Sequence, residues 1–255
     1  MIIVISPAKK LIPENNSFGI KTTEFLFQRE TKEILNVTKS MTISELQSLM
    51  GISEKLAKLN HERYQGFDLE HGENKVVQAI FTFRGDTYVG LNADKFTKDD
   101  ITFAQKNLRI LSGLYGILRP LDGIQPYRLE MGTKIGINGK PNLYDFWTES
   151  VTNKLKKELE TKTSNKNLIN LASEEYFKVI DQSKLKSKVI TPIFKTNKNG
   201  HLKTIGILSK RARGMMANFI IKNRIESPQY LKEFSNDGYS FQEKLSSENK
   251  LIFTR

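Results

Sequence analysis

A mixed α/β fold in one domain is what this sequence predicts, and three observations carry it. Short apolar runs at Ile2–Ile5, Leu168–Leu171 and residues 189–194 have the length and composition of buried strands. Amphipathic stretches with helical spacing lie between them. No Pro/Gly/Ser linker and no internal repeat divides the 255 residues, so residues 1–255 are expected to form a single compact domain, a central sheet covered by helices. With 38% hydrophobic residues, 15 Phe and 8 Tyr, the chain has ample material for a core.

The elements follow in order. Ile2–Ile5, bounded by Ser6-Pro7, suits a strand buried on both faces. Residues 22–37 contain helical material. Residues 77–83 and 87–89 are rich in β-branched and aromatic side chains and flank Arg84-Gly85-Asp86, which predicts two strands around a turn. Residues 103–106 end a helix ahead of a strand at 108–111. Leu143, Phe146, Trp147, Val151 and Leu155 recur at helical spacing and predict a helix over 142–159. Residues 202–208 predict a further strand, and residues 238–241 with Lys250–Thr254 a closing hairpin. Lys-rich stretches at 162–167 and 195–199 are expected to be surface turns.

Residues 44–60 have the pattern of two short helices joined by a tight turn. Ser44 with Gln47 suggests a capping box for the first helix, whose apolar face is Leu46, Leu49 and Met50. Gly51 supplies a positive-φ stop, and Ser53 can cap a second helix with Leu56, Ala57 and Leu59 facing inward. The pattern is similar to the helix–hairpin–helix of DNA-binding proteins, with Ser53 where that motif usually has a second glycine. Unpaired N–H groups at the second helix start, with Lys55 and Lys58 beside them, can grip phosphates without reading bases. An ordinary capped helix pair is the alternative reading.

Charge points the same way. The chain has 40 Lys plus Arg against 28 Asp plus Glu, a net charge of +12, which predicts polyanionic partners. Residues 195–224 contain Lys195, Lys198, Lys203, Lys210, Arg211, Arg213, Lys222 and Arg224 and no acidic residue. Within them Ala212, Met215, Met216, Phe219 and Ile220 mark an amphipathic helix, with the methionines as core packing. Lys210, Arg211 and Arg213 are expected at its start, where cations oppose the macrodipole unless an anion is held there.

A second candidate site gathers on loops. Ser6 and Lys9 follow the first buried strand, where ligands sit in open α/β folds. Arg109, Arg119 and Arg128 lie in a glycine-rich stretch with Asp122 and Glu130, which are equally placed to pair with them as a structural network. Asn170 stands in another buried strand just before Leu171-Ala172-Ser173, at the same expected sheet edge. Together Ser6, Lys9, Arg109, Arg119, Arg128 and Asn170 form a candidate anion pocket for a phosphorylated or nucleotide-like small molecule.

Other chemistry is excluded or unsupported. With no cysteine, disulfides, thiolate metal sites and cysteine nucleophiles are ruled out. No G-x-S-x-G, P-loop or G-x-G-x-x-G motif occurs, so no catalytic residue is assigned. His61, His71 and His201 have no ligand spacing and are expected at the surface; Asp99-Asp100 and Glu174-Glu175 are expected in solvent. No metal site and no cofactor is expected. No stretch approaches the ~20 apolar residues of a membrane span, and the five-residue apolar start lacks the features of a signal peptide. A cytoplasmic protein without a membrane partner is the expectation; the oligomeric state is not legible.

Several long blocks carry a family resemblance. They are I-S-P-A-K at 5–9, I-S-E-K-L-A at 52–57, R-G-D-T-Y-V-G-L at 84–91 and L-S-G-L-Y-G-I-L-R-P-L-D at 111–122. P-Y-R-L-E-M-G at 126–132, N-L-A-S-E-E-Y-F at 170–177 and K-R-A-R-G-M-M-A-N-F-I-I at 210–221 complete the set. Together they resemble, nearly end to end, the YaaA family of bacterial peroxide stress resistance proteins, formerly a domain of unknown function. The resemblance implies a single α/β domain of unusual topology, described as cantaloupe-like. It also implies binding of double-stranded DNA through a helix–hairpin–helix and a positively charged cleft. Finally, it implies a role in limiting oxidative damage by keeping unincorporated iron low. The sequence reading thus expects a DNA-binding protein gripping phosphates through Gly51, Ser53, Lys55, Lys58, Lys210, Arg211 and Arg213. An enzyme acting in the loop pocket is the alternative.

Overall fold

Ile2–Ile5 carries no polar side chain because it lies at the centre of the molecule, paired on both edges and covered on both faces. In a computed structural model, which describes residues 1–12, 19–69, 76–162 and 165–255, it is the middle strand of an eight-stranded mixed sheet. The elements in chain order are β1 (Ile2–Ile5), β2 (Lys10–Leu11), α1 (Gln28–Ser40), α2 (Ile43–Met50), α3 (Glu54–Gln65), β3 (Val77–Gln78) and α4 (Ala79–Thr82). Then come β4 (Phe83–Arg84), α5 (Asp86–Leu91), α6 (Lys98–Asn107), β5 (Leu108–Ser112), β6 (Gly116–Leu118), β7 (Gly123–Ile124) and α7 (Leu143–Glu160). The last are β8 (Leu168–Leu171), α8 (Glu174–Phe177), β9 (Val189–Lys198), β10 (His201–Lys203), α9 (Gly206–Lys222), β11 (Ser240–Phe241) and β12 (Lys250–Thr254).

The sheet runs β11-β12-β9-β8-β1-β5-β6, with β10 folded back on β9. Strands β12, β9, β8, β1 and β5 are mutually parallel. From β1 the next strand of the sheet is β5 on one side; from β8, the other neighbour of β1, it is β9 on the far side. Connections therefore diverge between β1 and β8, and a crevice for ligands is expected at their carboxyl ends.

The mixed α/β reading holds, and the strands at 2–5, 108–111 and 168–171 and the α7 helix are where the sequence placed them. Asn142 caps α7 by accepting from Asp145 N–H at 3.0 Å, and Trp147 is fully buried, donating to the Gly113 carbonyl at 2.9 Å. The hairpin of β11 and β12 forms, but β12 inserts as a parallel neighbour of β9. Helix α1 begins at Gln28, later than residue 22. Residues 195–199 belong mostly to β9, and residues 202–208 are not a strand beyond Lys203. The turn expected at 162–167 falls partly outside the described residues.

The largest correction is at 77–91. Only Val77–Gln78 and Phe83–Arg84 are strand; residues 79–82 and 86–91 are short helices. The cause is tertiary. Helix α5 crosses α9 backbone to backbone at two glycines. A Cβ on Gly90 would lie 2.0 Å from the Arg211 carbonyl oxygen, and one on Gly214 would lie 1.8 Å from that of Thr87. No side chain fits at either point, so the crossing itself selects the helix over the strand propensity of Thr87, Tyr88 and Val89.

Gly90→Ala or Gly214→Ala should therefore force the two helices apart, with a destabilisation of about 1–3 kcal/mol or more. Gly206→Ala, in the first turn of α9 with open space around it, should be neutral or slightly stabilising. Urea midpoints of the three variants check the contrast.

Candidate functional site

Two regions hold the residues singled out by sequence. The first is the α2–α3 pair. Helix α2 is capped by Thr42, not Ser44: Thr42 accepts from Glu45 N–H at 3.3 Å and Glu45 accepts from Thr42 N–H at 2.7 Å. Gly51 ends α2 in the left-handed region with φ 59°, which suits glycine. Ser53 caps α3, accepting from Leu56 N–H at 3.4 Å. Three residues thus join the helices, and α3 opens outward.

The inner face of α3 is Ala57, Asn60 and Tyr64; Leu56 and Leu59 are exposed, contrary to the sequence reading. Lys55 and Lys58 stand beside them on the outer side, with no partner among the described residues. The first intrahelical bond runs from Ala57 to Ser53, so the N–H groups of Glu54 and Lys55 precede it and remain available at the positive end of a 12-residue helix.

Helix α9 carries the second basic group, but its start is Gly206. Lys210, Arg211 and Arg213 therefore sit in its second and third turns, and the argument from an N-terminal anion site does not apply to them. Lys210 and Arg211 are exposed and Arg213 is half-buried; none has a hydrogen bond or ion pair among the described residues. Burial lowers the Arg213 guanidinium from its usual value. Two of the eight cations of 195–224 are spent inside the protein: Lys222 and Arg224 meet Asp100 at 2.8 and 2.7 Å, docking the end of α9 on α6. Asp100, expected in solvent, is buried.

The second region is the carboxyl edge of β1, β5 and β8. Ser6 Oγ accepts from Ser173 N–H at 2.8 Å, joining the loops after β1 and β8 where the connections diverge. Across these ends runs an extended strap, residues 125–132. A Cβ on Gly113 would lie 2.4 Å from the Leu129 carbonyl oxygen, so the strap passes directly over the glycine that follows β5. Burial alternates along it: Tyr127, Leu129 and Met131 face the core, while Arg128 and Glu130 share the other side.

There Glu130 Oε1 meets Arg128 Nη2 at 2.9 Å and Lys9 Nζ at 3.2 Å. Arg128 Nε and Glu130 Oε2 are buried without a partner among the described residues. Such groups cost about 1–3 kcal/mol each when unpaired, which marks a place built for something other than stability. Pro7, Ala8, Tyr127, Leu129 and Tyr176 complete a small crevice with room for about one water molecule.

A ring of tyrosines fixes this region to its neighbours. Tyr64 of α3 donates to the Arg128 carbonyl at 2.5 Å, and Tyr88 of α5 donates to the Ser6 carbonyl at 3.2 Å. Tyr127 hydroxyl lies 2.6 Å from Ser112 Oγ. Burial raises the pKa of Tyr64, Tyr127 and Tyr176, and the negative charge of Glu130 adds to it, so all three stay neutral phenols.

Of the candidate anion pocket, the structure brings Ser6, Lys9 and Arg128 to one edge and leaves three residues out. Arg109 is buried near the amino end of β5, bound to Glu158 at 2.7 Å and to two carbonyls. Arg119 is tied to Asp122 at 2.8 Å and to the Glu24 carbonyl at 2.6 Å. Asn170 braces its own strand end, accepting from Ala172 N–H at 3.0 Å. These are structural pairings, the network alternative for the arginines.

Tyr127, Glu130 and Tyr176 line the crevice, with Tyr64 and Tyr88 bonded to its backbone, and sequence reasoning assigned none of them to a site. The i, i+2 spacing of Arg128 and Glu130 in an extended segment was the available signal. Among the described residues no three of His, Cys, Asp and Glu gather as a metal site, and no helix is long and apolar enough to cross a membrane. His201 is exposed and His61 half-buried; His71 lies outside the described residues.

The likeness to known proteins extends over nearly the whole chain. The family model described as peroxide stress protein YaaA matches residues 1–245. This chain belongs to the YaaA family. A UPF0246 protein of Legionella pneumophila (strain Lens) is 48% identical over 256 residues, covering 100% of this chain and 99% of the relative. UPF0246 proteins of Saccharophagus degradans and Aliivibrio fischeri (strain MJ11) are each 44% identical over 255 residues, covering all of this chain and 99% and 98% of their own. YaaA membership assigns peroxide stress and leaves the molecular activity open.

The Asp100 cluster gives a pH prediction. Burial alone would raise its carboxyl, but Lys222, the Thr97 N–H and Arg224 outweigh it and hold the pKa well below the usual carboxylate range. A depressed folded-state pKa contributes stability that is complete above the unfolded value of about 4 and is lost as pH falls. Wild type should therefore lose stability between about pH 5 and pH 2 more steeply than Asp100→Asn, while the variant is the less stable at pH 7. Urea midpoints across that range are the measurement.

Proposed function

We propose that this protein binds duplex DNA through its phosphates, without base specificity. The observation that carries the reading is the α2–α3 unit. A left-handed glycine and a capped helix start present free backbone N–H groups beside Lys55 and Lys58, two cations with no partner among the described residues. In this reading the pair acts as a helix–hairpin–helix, with Gly51 and Ser53 shaping the turn. Lys210, Arg211 and Arg213, likewise unpaired, extend the contact along α9. Exposed Leu56 and Leu59 suit the sugar face beside a phosphate.

This activity fits a peroxide stress protein by a physical route. Protein cations on DNA phosphates displace condensed counterions. Ferrous ions in that atmosphere would be displaced with them, so peroxide chemistry would occur less often beside the bases. With no cysteine in the chain, protection would not run through thiol oxidation. The bacterial cytoplasm, where the chromosome lies, is where such a protein would act.

A second reading, an enzyme acting on a phosphorylated or nucleotide-like small molecule, is favoured by one observation: Lys9 and Arg128 meet on Glu130 in the loops beyond the strand ends, where Ser6 joins the turns after β1 and β8.

Fluorescence anisotropy with labelled duplexes of different sequence tests the first reading. The expected log–log salt slope is about −0.9 for each phosphate neutralised, and Lys55→Ala with Lys58→Ala should reduce it by about two contacts, equally for all sequences. A slope near zero, or unchanged binding in that double variant, overturns it.

A further inference from the structure

Strand β9 outruns the sheet it belongs to. Its ladder with β8 ends at Ile190 and its ladder with β12 at Lys195. One further bond, from Asn197 N–H to the Arg255 carbonyl at 2.8 Å, closes the β12 side. Over its last three residues β9 pairs with β10, with Thr196 opposite Lys203, Asn197 opposite Leu202 and Lys198 opposite His201. Asn199 and Gly200 turn the chain at φ 55° and 80°, the two left-handed positions of a type I′ hairpin. Residues 197–204 are all exposed, so the ribbon adds nothing to the core, and two strands alone are marginal in water.

Its charge is of one sign. Lys195, Lys198 and Lys203 have no ion-pair partner among the described residues, and no acidic residue occurs between Asp181 and Glu226. Side chains alternate along a strand, so Thr196 and Lys198 share a face with Phe194, and their opposites Lys203 and His201 join them. Phe194 packs on Phe234, which meets Phe219 of α9, with ring centroids 5.8 and 5.7 Å apart. The lysine face of the ribbon is therefore on the α9 side of the sheet. Thr204 and Ile205 alone separate Lys203 from the first residue of α9, whose Lys210 and Arg211 are exposed.

We propose that the β9–β10 ribbon is an arm that lies in the major groove of duplex DNA, with Lys198 and Lys203 on its inward face. This rests on the DNA-binding reading and adds to it the groove that the protein enters. Size and charge both select that groove. Past the sheet each strand runs three residues, about 10 Å long, and the two lie ~4.8 Å apart. The major groove of B-form DNA, about 12 Å wide and 8.5 Å deep, admits a two-stranded ribbon, whereas the minor groove, about 6 Å wide, would first have to be opened. The deep, narrow major groove of duplex RNA is closed to side chains. The inward face carries lysines, point charges on flexible stems, and no arginine, asparagine or glutamine to pair with a base edge, so the arm enters without requiring a particular sequence. Lys210 and Arg211 then reach phosphates at the edge of the same groove.

Fluorescence anisotropy of the full chain with two DNA duplexes of one sequence is the test. One is unmodified; in the other the cytosines carry glucosylated 5-hydroxymethyl groups, which fill the major groove and leave the phosphates and the minor groove as they were. Wild type should bind the glucosylated duplex at least about tenfold more weakly. Lys198→Ala with Lys203→Ala, both at exposed positions that do not threaten folding, should weaken the unmodified duplex by about tenfold and lower the salt slope by about two contacts. The same double variant should no longer distinguish the two duplexes. Lys55→Ala with Lys58→Ala should bind both more weakly and still distinguish them. Phosphatidylglycerol vesicles serve as a polyanionic surface without grooves.

Equal affinity of wild type for the two duplexes overturns the proposal and leaves the DNA-binding reading standing. So does unchanged binding by the Lys198 and Lys203 double variant, whose lysines would then only guard an exposed strand edge against pairing. Binding to neither duplex overturns both, and binding to the vesicles in their place would make the ribbon a membrane-surface element.

Discussion

The pairing of β1 on both edges is the constraint from which the rest follows. Flanked by β5 and β8 in parallel register and covered on both faces, β1 has no exposed position for a polar side chain, and Ile2, Ile3, Val4 and Ile5 are fully buried. Polar chemistry is displaced to its carboxyl end. There the chain turns polar at once, with Ser6 and then Lys9, and the neighbouring strand ends at Ser173 within hydrogen-bond reach. The location of the pocket is thus a consequence of sheet order, and the tyrosines packed behind it are what carry that order outward to α3 and α5.

How much of this was legible depended on whether local pattern or tertiary contact decided each segment. Ile2–Ile5 and the Trp147 helix are patterns that no packing contradicts. Residues 86–91 are the opposite case: Thr87, Tyr88 and Val89 have strand propensity, and only the backbone contact with α9 makes the segment helical. Its trace in the sequence is a pair of glycines, Gly90 and Gly214, each inside an otherwise side-chain-rich run. The α2–α3 pair was legible in outline, yet its cap was misplaced because Thr42-x-x-Glu45 and Ser44-x-x-Gln47 both fit a capping box. Thr42 prevails because its side chain and Glu45 exchange bonds with each other's backbone. The arginines were the least legible. Arg109, Arg119 and Arg128 look alike in sequence, and only the positions of Glu158, Asp122 and Glu130 separate two structural arginines from one at the pocket.

Charge counting localised the basic surface but overstated it. In residues 195–224 the absence of acidic neighbours along the chain does not mean their absence in space: Asp100, on α6, takes both Lys222 and Arg224. What remains of that segment is Lys195, Lys198 and Lys203 on β9 and β10 and Lys210, Arg211 and Arg213 on α9, and with Lys55 and Lys58 on α3 these have no ion-pair partner among the described residues. Half-buried Arg213 is the most informative of these. A guanidinium that loses solvent and meets no carboxylate among the described residues is held at a cost.

The same logic separates the two sites. On α3 and α9 the unpaired groups are all cations or N–H donors, which any phosphate satisfies regardless of the base attached. At the strap the unpaired groups are one donor and one acceptor, both closed to solvent beside a crevice with room for about one water. A surface made of donors alone can be indifferent to sequence. Arg128 and Glu130 lie two residues apart on an extended strap whose backbone is pinned against Gly113. The backbone from which both side chains leave is therefore fixed, and the ion pairs of Glu130 with Arg128 and Lys9 hold the side chains themselves.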